Sequence, residues 1–565
     1  MRWPTASHSA LRVANIRRTD VVISSTRVTL STRDSLEDHE CVPFSASPGQ
    51  PPASFYIASM KSVQFRLGQK LMADWGYGLV AATSLVAAVA SRLLGAQPNP
   101  EMLSDTTISS RMHLLSADLL RHDLWNSLLN LHSAPPLFNL ETAVLMHLPF
   151  RNTIAWSFAI LCATLTAVAT YGILRFFEVP RPIATVAVVV FVCLDPARTL
   201  FANYYSYDEA TAALVTVSAW LSCLWVRERR DSYLRWLWWA IATLTLYNSN
   251  HSIYLLVLAL TPALWAMRAQ WRRIIRVGVV PILIISLWYA NDLLRFHQLT
   301  TSSWFGSNLA RNSLMLAPAD DLHDLVQRKV LGPIALMRPF DYPHAYEKFV
   351  TPRPTGVPAL DRKMDLHGAF PAANFNWDGY RYVSSLYLQD DVTWIVNRPF
   401  MYLRNVARTM FFWNLPSSQF YLVEVTPGYA LSGYTEWYSR FIEWQPRPDN
   451  NAAGWLVVFH QYPHLINISW LAVLQTVSAV LVFPLLLLRR RKRGVPAAAA
   501  LVPWLFLVSS FVTTSLIEVS ENNRFRFETG GLPLALTVIS VLWCAREVRE
   551  WRESRRSVVA TTTVD

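Results

Sequence analysis

Long apolar segments recur along the chain and alternate with polar stretches that carry most of the charge. Because an α-helix rises about 1.5 Å per residue, roughly 20 apolar residues are enough to cross the hydrocarbon core of a bilayer. The pattern predicts an all-α polytopic membrane protein with about ten transmembrane helices and a large external loop region after the seventh span. The predicted spans cover residues 77–95, 153–175, 183–201, 208–226, 234–249, 251–267, 277–294, 466–488, 496–517 and 530–546.

Basic residues cluster beside these spans, notably at 227–230, 268–276, 489–493 and 546–556. Cytoplasmic loops carry an excess of Lys and Arg, so the clusters predict that both termini lie in the cytoplasm. The same rule explains the net charge of +12, and no nucleic acid is expected as a partner. The resulting threading places four loops outside the membrane, at residues 96–152, 195–208, 295–465 and 518–529.

The organisation that follows has a membrane module on each side of a large extracytoplasmic region. The first segment is polar and contains no signal peptide. It is read either as a disordered cytoplasmic tail or as an upstream extension of a reading frame that begins at Met60 or Met72. The predicted segments are residues 1–75 (tail), 76–296 (N-terminal transmembrane module), 297–465 (extracytoplasmic region), 466–548 (C-terminal transmembrane module) and 549–565 (cytoplasmic tail).

The first external loop carries two acidic residues, Asp118 and Asp123, on a stretch with helical periodicity. Four leucines recur there at helical spacing, namely Leu120, Leu124, Leu128 and Leu131. This pattern predicts a helix that lies flat on the membrane, with its leucines in lipid and its acids facing water or protein. Pro135 and Pro136 are expected to end that helix, because neither residue offers an N–H.

Ionisable residues are scarce inside the predicted spans and concentrate at their outer ends. A proton- or ion-coupled transporter keeps carboxylates near the bilayer midplane, so this distribution disfavours transport. It favours chemistry at the outer membrane surface. The residues at the outer ends are Asp208, Glu209, His251, Asp292 and Glu518.

Two further external clusters contain candidate ligand contacts. Asp208 and Glu209 open a predicted helix, where they either take part in chemistry or complement the helix dipole. The stretch 300–308 places small hydroxylated residues around Ser303 and Trp304. These residues either bind a phosphate or sugar, or form an interfacial turn with a Trp anchor. Aromatic and amide side chains in the large external region likewise suit either sugars and lipid headgroups or packing at the membrane interface.

Arg524 and Arg526 alternate with Phe525 and Phe527 in the last external loop. If this stretch is extended, the two guanidiniums face one way and the two rings face the other. The positive-inside rule disfavours external arginines, and binding of an anionic headgroup would explain them. The alternative is a structural ion pair with a nearby Glu at 521 or 528.

In the order and sidedness of these four clusters, the sequence resembles the C-type membrane glycosyltransferases, in particular the bacterial dolichyl-phosphate-mannose–protein mannosyltransferase-like clan (glycosyltransferase family 39-like). The resemblance covers about residues 77–546 in layout. It is carried by the acidic first loop running into His132-Ser133-Ala134-Pro135-Pro136-Leu137-Phe138-Asn139, by Tyr204-Tyr205 with Asp208-Glu209, by Ser303-Trp304-Phe305-Gly306, and by Glu521-Asn522-Asn523-Arg524-Phe525-Arg526 leading to Pro533.

The resemblance implies a polyprenyl-phosphate sugar donor, an external glycan, lipid or protein acceptor, and inversion at the anomeric carbon. It implies Asp123 as the base with Asp118 in reserve, although the family often has an adjacent Asp-Glu pair here. Asp208 or Glu209 would be the second acidic position. Arg524 and Arg526 would hold the donor phosphate. The implied substrate contacts are His132, Ser303, Trp304, Asn308 and Glu521.

A divalent metal is compatible with the family but is not required by the sequence. The expected location is the bacterial inner membrane, with the clusters meeting in one external cavity that opens towards lipid. Two other functions fit the same pattern. One is a lipid-linked oligosaccharide flippase or polymer ligase, and the other is a non-catalytic membrane assembly protein whose large loop binds a partner.

Overall fold

The computed structural model describes residues 74–94, 102–248, 270–300, 302–365, 372–419, 431–445, 468–491, 497–519 and 521–562. All of them fall in one unit of the chain, Ser59–Asp565. The predicted tail at 1–75 lies almost wholly outside the described residues, and the predicted span 251–267 lies wholly outside them.

The described residues are mostly helical. The helices are α1 (Trp75–Leu93), α2 (Asp105–Ser110), α3 (Ala117–His122), α4 (Leu124–Leu129), α5 (Pro136–Met146), α6 (Arg151–Phe176), α7 (Arg181–Val188), α8 (Pro196–Asn203), α9 (Asp208–Glu228), α10 (Asp231–Tyr247), α11 (Trp271–Phe296), α12 (Phe305–Asn312), α13 (Ala319–Gln327), α14 (Pro343–Tyr346), α15 (Pro358–Asp361), α16 (Asp378–Asn397), α17 (Pro399–Trp413), α18 (Ser432–Phe441), α19 (Trp470–Val477), α20 (Phe483–Arg491), α21 (Ala497–Ile517), α22 (Asn522–Glu528) and α23 (Leu532–Thr562).

Shorter elements complete the described chain. Single π-helical turns, Val189–Cys193 and Ser478–Val482, extend α7 and join α19 to α20. Two short strands, β1 (Met364–Asp365) and β2 (Ala372–Ala373), pair antiparallel with Met364 opposite Ala373. The 3₁₀ turns are Leu314–Leu316, Pro333–Leu336 and Ser417–Gln419.

Six described helices are long and apolar enough to cross a membrane, and the number reaches eight if each of two bent helix pairs is one span. The bends are 42° between α7 with its π turn and α8, and 74° between α22 and α23. The prediction of a multi-pass helical membrane protein is confirmed at this level, while the count of ten remains a prediction. The six helices are Trp75–Leu93, Arg151–Phe176, Asp208–Glu228, Trp271–Phe296, Trp470–Arg489 and Ala499–Ile517.

Helix α9 lies at the centre of the fold. Of its most apolar stretch, 78% is buried inside the protein, against 17% for the peripheral helices α1 and α11. Small residues allow neighbouring backbones to approach closely inside a membrane. At Gly172 of α6 the missing side chain also leaves room for the Trp220 indole of α9, since a Cβ there would lie 2.3 Å from Trp220 Nε1. The peripheral helices instead present their apolar faces outward.

A tight turn between α22 and α23 fixes α22 against α9. Gly530 has a φ of +61°, which L-residues with a Cβ rarely adopt. A Cβ there would also lie 2.1 Å from the Thr216 hydroxyl and 2.6 Å from the Ala212 carbonyl oxygen of α9. The turn therefore needs glycine for both its backbone conformation and its packing. It brings Arg524 of α22 to Asp208 at the N-terminal end of α9.

The first loop, predicted to be external, does not form the predicted surface helix. It breaks at Asp123 into α3 and α4. Leu120, Leu128 and Leu131 are buried in a protein core rather than in lipid, and Leu124 packs against that core. The prediction was wrong because the leucine stripe found an apolar partner within the chain. Pro136 does not close the preceding helix, which has already ended, but begins α5, where a missing N–H costs nothing.

Candidate functional site

A cavity of about 340 Å³ lies where four regions of the chain converge. Its wall comes from residues 110–113 of the first loop, residues 204–208 before and at the start of α9, residues between 302 and 311, and residues between 513 and 525. Phe138 and Phe340 complete the wall. Three of the clusters that the sequence singled out contribute to this wall, whereas the first loop contributes residues 110–113 and Phe138 rather than its predicted acids.

Arg524 of α22 lies at the centre of a buried ion network. Its Nε is 2.6 Å from Asp208 Oδ1 and 3.5 Å from Glu528 Oε1, while Nη1 is 2.5 Å from Glu521 Oε2. Its Nη2 donates to the Tyr207 hydroxyl oxygen at 2.5 Å. The structural ion pair considered as an alternative for Arg524 is therefore present. The carboxylates already compensate its charge.

A second cation, Arg311 of α12, bridges two carboxylates across the cavity. Its Nη1 lies 2.6 Å from Glu518 Oε1 and 3.1 Å from Glu521 Oε1. Burial raises the pKa of Glu518 to about 8, although the positive charge of Arg311 acts to lower it. Burial also acts on Glu521, but the charges of Arg524 and Arg311 outweigh it and lower the pKa of Glu521 to about 2. Two neighbouring carboxyls whose pKa values are pushed apart are the usual arrangement of an acid and base site.

The wall from the first loop carries Arg111 and His113. The Arg111 guanidinium stacks on the Tyr204 ring at 3.7 Å, and His113 Nε2 lies 3.1 Å from the Tyr207 hydroxyl. Burial lowers the pKa of His113 to about 4, so it is neutral at pH 7. Asn139 holds this loop in place, because its side chain accepts from the Leu115 N–H and donates to the His113 carbonyl oxygen.

Arg526 does not share the cavity of Arg524. The stretch is helical rather than extended, and two residues in a helix are rotated by about 200°. Arg526 therefore lines a separate space of about 60 Å³, together with Asp195, Arg198 and Glu443. It donates to the Leu415 carbonyl oxygen at 2.9 Å. The expected pair of guanidinium forks on one face is absent.

The predicted first-loop acids, Asp118 and Asp123, do not line the cavity. Asp118 pairs with Arg362 at 2.8 Å, near the protein surface. Asp123 accepts a hydrogen bond from the Asn126 side chain at 3.0 Å, within its own loop. The expectation that they meet the arginines in one cavity is wrong, because the chain turns inward before them, at residues 110–113.

The other predicted residues divide between the cavity and its supports. Trp304, Asn308 and Glu521 line the cavity, as does Asp208. Glu209 instead pairs with Arg198 at 2.8 Å. Neither acid caps α9 through its side chain, because the N-terminus of α9 has no side-chain capping bond.

His132 and Ser303 form a buried structural contact outside the cavity lining. His132 Nδ1 lies 2.7 Å from Ser303 Oγ, and the Ser303 N–H donates to the His132 carbonyl oxygen at 2.9 Å. The His132 N–H donates to the Asn376 side chain at 2.9 Å. This contact ties the first loop to the region after α11, and thereby positions the neighbouring Trp304.

Sequence reasoning missed Arg111, His113 and Arg311 in this site. A usable signal existed for Arg111, since it lies in a loop predicted to be external, where the positive-inside rule disfavours arginine. The same argument had been applied to Arg524. His113 gave no comparable signal, because a single loop histidine is common.

The residues present do not fit a divalent metal. Among the described residues, no group of three His, Cys, Asp or Glu side chains is arranged to hold a metal ion. The cavity acids Asp208, Glu518 and Glu521 are instead engaged by arginines.

No protein-family model, curated protein or solved structure matches the chain. Its function must therefore be argued from the geometry of this cavity.

Proposed function

We propose that the protein is a membrane glycosyltransferase that moves a sugar from a polyprenyl-phosphate donor to an acceptor at the extracytoplasmic face. The observation that carries the proposal is the pair Glu518 and Glu521, which share Arg311 in a cavity that also contains Arg524. A base whose pKa lies near the working pH and preorganised cations are what transfer from a lipid phosphate requires.

The acceptor hydroxyl attacks the anomeric carbon of the donor from the face opposite the phosphate. A carbon–oxygen bond to the acceptor forms as the bond to the phosphate oxygen breaks, so the configuration inverts. The phosphate leaves with the bonding electron pair, and the hydroxyl proton passes to the Glu518 carboxylate. Arginines stabilise the developing phosphate charge more than they stabilise the uncleaved donor.

Glu518 replaces Asp123 as the proposed base. A base must come within hydrogen-bond reach of the proton it takes, and Glu518 lines the cavity whereas Asp123 does not. Glu518 is also 5% exposed, which accounts for its raised pKa. Glu521 stays ionised beside Arg311 and Arg524, and its role is to hold both cations in place.

The size and lining of the cavity suit the polar end of such a donor. A volume of about 340 Å³ lies within the range of small-molecule sites, roughly 300–1,000 Å³. Aromatic side chains such as Trp304 and Phe340 offer faces for a sugar ring. Ile517, at the end of a candidate span, also contributes to the wall, which fits an entry from the lipid side.

The test is transfer of radiolabelled sugar from polyprenyl-phosphate donors by the purified protein in detergent, where no membrane sides exist. A flippase would produce no new glycoside under these conditions. We expect Glu518→Gln to lower the rate by about 10²–10⁴-fold, the usual contribution of a general base. The matched control is Glu347→Gln, which removes an exposed carboxylate paired with Lys363. Equal rates for the two variants would refute the assignment of Glu518, and no transfer by the wild type would refute the proposed function.

A further inference from the structure

Arg111 differs from the other two arginines of the cavity because no described carboxylate forms an ion pair with its guanidinium, although the charge of Asp208 acts on it. Arg311 and Arg524 each contact carboxylates, whereas no described residue accepts a hydrogen bond from the Arg111 guanidinium. Stacking on the Tyr204 ring holds the guanidinium in place without using its N–H groups. Burial lowers the pKa of Arg111 to about 10, which leaves it charged at neutral pH.

His113 presents a second unused donor, and its hydrogen bonds fix which nitrogen carries the proton. Arginine only donates, so the Tyr207 oxygen accepts from Arg524. The Tyr207 hydroxyl then has its own hydrogen to give, and His113 Nε2 lies 3.1 Å away to accept it. A neutral imidazole that accepts at Nε2 carries its proton on Nδ1. No described residue accepts a hydrogen bond from that buried Nδ1–H.

Trp304 adds a third donor beside these two. Its ring lies 5.2 Å from the His113 ring, and its Nε1–H is buried without an acceptor among the described residues. Leaving a buried donor unsatisfied is costly, and buried Trp N–H groups usually find a partner. Unused donors on Arg111, His113 and Trp304 thus share one wall of the cavity. The wall is complementary to a ligand that only accepts hydrogen bonds and carries negative charge.

We infer that Arg111, His113 and Trp304 form a phosphate-binding subsite of the cavity, beside the ion network of Arg524. A phosphate group offers several acceptor oxygens and matches the fork of a guanidinium. Arg524, which the sequence favoured for this role, is the central cation of the ion network. The subsite rests on the proposed function only for the expectation that the phosphate belongs to a polyprenyl lipid.

The experiment measures equilibrium binding of radiolabelled polyprenyl phosphate and, in a separate arm, of inorganic phosphate to the full-length protein in nanodiscs. Loss of a charge-assisted contact predicts that Arg111→Gln weakens lipid-phosphate binding by about 10–100-fold. Trp304→Phe keeps the ring but removes the N–H, and should weaken binding about fivefold. The matched control is Arg555→Gln, since Arg555 also stacks on an aromatic ring, at 4.3 Å from Trp551, but lies outside the cavity.

Thermal unfolding of the ligand-free protein separates binding from structure. Arg111→Gln leaves no carboxylate without an ion-pair partner, so it should leave the unfolding temperature unchanged. Dependence on Arg111 in the lipid arm alone assigns the subsite to a lipid phosphate, and dependence in both arms assigns it to phosphate groups in general. Unchanged binding in both arms overturns the inference. Arg111-dependent binding without any sugar transfer would instead overturn the proposed function and leave the subsite standing.

Discussion

The short helix α22 separates two internal spaces that differ in size and in what surrounds their arginine. Arg524 faces the larger cavity, about 340 Å³, and Arg526 faces the smaller one, about 60 Å³. Around Arg524, Asp208, Glu521 and Glu528 lie within 3.5 Å of the guanidinium. Around Arg526, the contacts are to neutral oxygens such as the Ser417 hydroxyl at 3.2 Å.

The comparison shows that the direction in which each arginine points from the helix determines its role, whereas the alternation of Arg and Phe in the sequence does not. Two arginines that look equivalent in sequence are directed into different surroundings by a rotation of about 200°. Only the larger space has the volume of a small-molecule site, while the smaller one holds a few water molecules at most. We therefore expect Arg526 to contribute to stability, and the larger cavity to contribute function.

Removing the cation from the larger network should have the largest effect. Arg524→Ala leaves Asp208, Glu521 and Glu528 buried without their common partner, and breaking such a network typically costs about 3–5 kcal/mol. We expect a marked fall in the thermal unfolding temperature in detergent and loss of sugar transfer.

Arg328→Ala is the control, since Arg328 makes an exposed ion pair with Asp324 at 3.1 Å. An exposed pair is worth about 0–1 kcal/mol. Equal destabilisation by the two variants would remove the energetic distinction between the buried network and a surface contact.

The raised pKa of Glu518 predicts the pH dependence of the larger cavity. A base with a pKa of about 8 is deprotonated as the pH rises, so the transfer rate should increase with pH and level off above about 8. The rising limb should disappear in Glu518→Gln, whose residual rate is 10²–10⁴-fold lower. If the rate of this variant still rose with pH in the same way, the pH dependence would belong to a group other than Glu518.

The stability of the protein should change in the opposite direction. The pKa of Glu518 rises from its ordinary value of 4.5 to about 8 in the folded protein. Between these two pH values, Glu518 is therefore protonated more in the folded state than in the unfolded state. Stability from this group therefore falls as the pH rises through that window. Glu518→Gln should flatten that part of the profile of unfolding temperature against pH.

Arg526→Gln tests the smaller cavity and should have an intermediate effect. It removes charged hydrogen bonds to the Leu415 carbonyl and the Ser417 hydroxyl, which predicts a loss of about 2 kcal/mol in unfolding free energy. Binding of polyprenyl phosphate should stay within twofold of the wild type, because Arg526 does not line the larger cavity. A tenfold loss of binding without a loss of stability would place a ligand in the smaller space after all.

Hydropathy predicted the parts of the molecule that depend on local sequence alone. The helices Arg151–Phe176 and Asp208–Glu228 lie where the apolar segments indicated, within two residues at each end. Charge at the outer ends of spans also led to Asp208, Glu521 and Arg524, all of which line the cavity. These successes rest on hydropathy and on the positions of charged residues relative to the apolar segments, both of which can be read directly from the sequence.

The first loop could not be predicted because distant residues determine its path. Asn376 accepts from the N–H groups of His132 and Ser133 and donates to the Asn130 carbonyl oxygen, more than 240 residues away in sequence. No local pattern encodes these bonds. The leucine stripe led to a wrong prediction for a related reason, since its apolar face is equally suited to lipid and to a protein core.

Substitution of the first-loop acids should have the smallest effects, and these variants test whether the base lies in the first loop. Asp118→Asn weakens a partly exposed ion pair with Arg362, which is worth about 1 kcal/mol or less. Asp123→Asn replaces a carboxylate that accepts side-chain hydrogen bonds from Asn126 and Ser127 within its own loop. Neither residue reaches the larger cavity, so both variants should transfer sugar within about twofold of the wild-type rate, far above Glu518→Gln. If Asp123→Asn instead lost 10²-fold or more in rate with an unchanged unfolding temperature, the base would belong to the first loop, and the loop would have to move into the cavity when substrate binds.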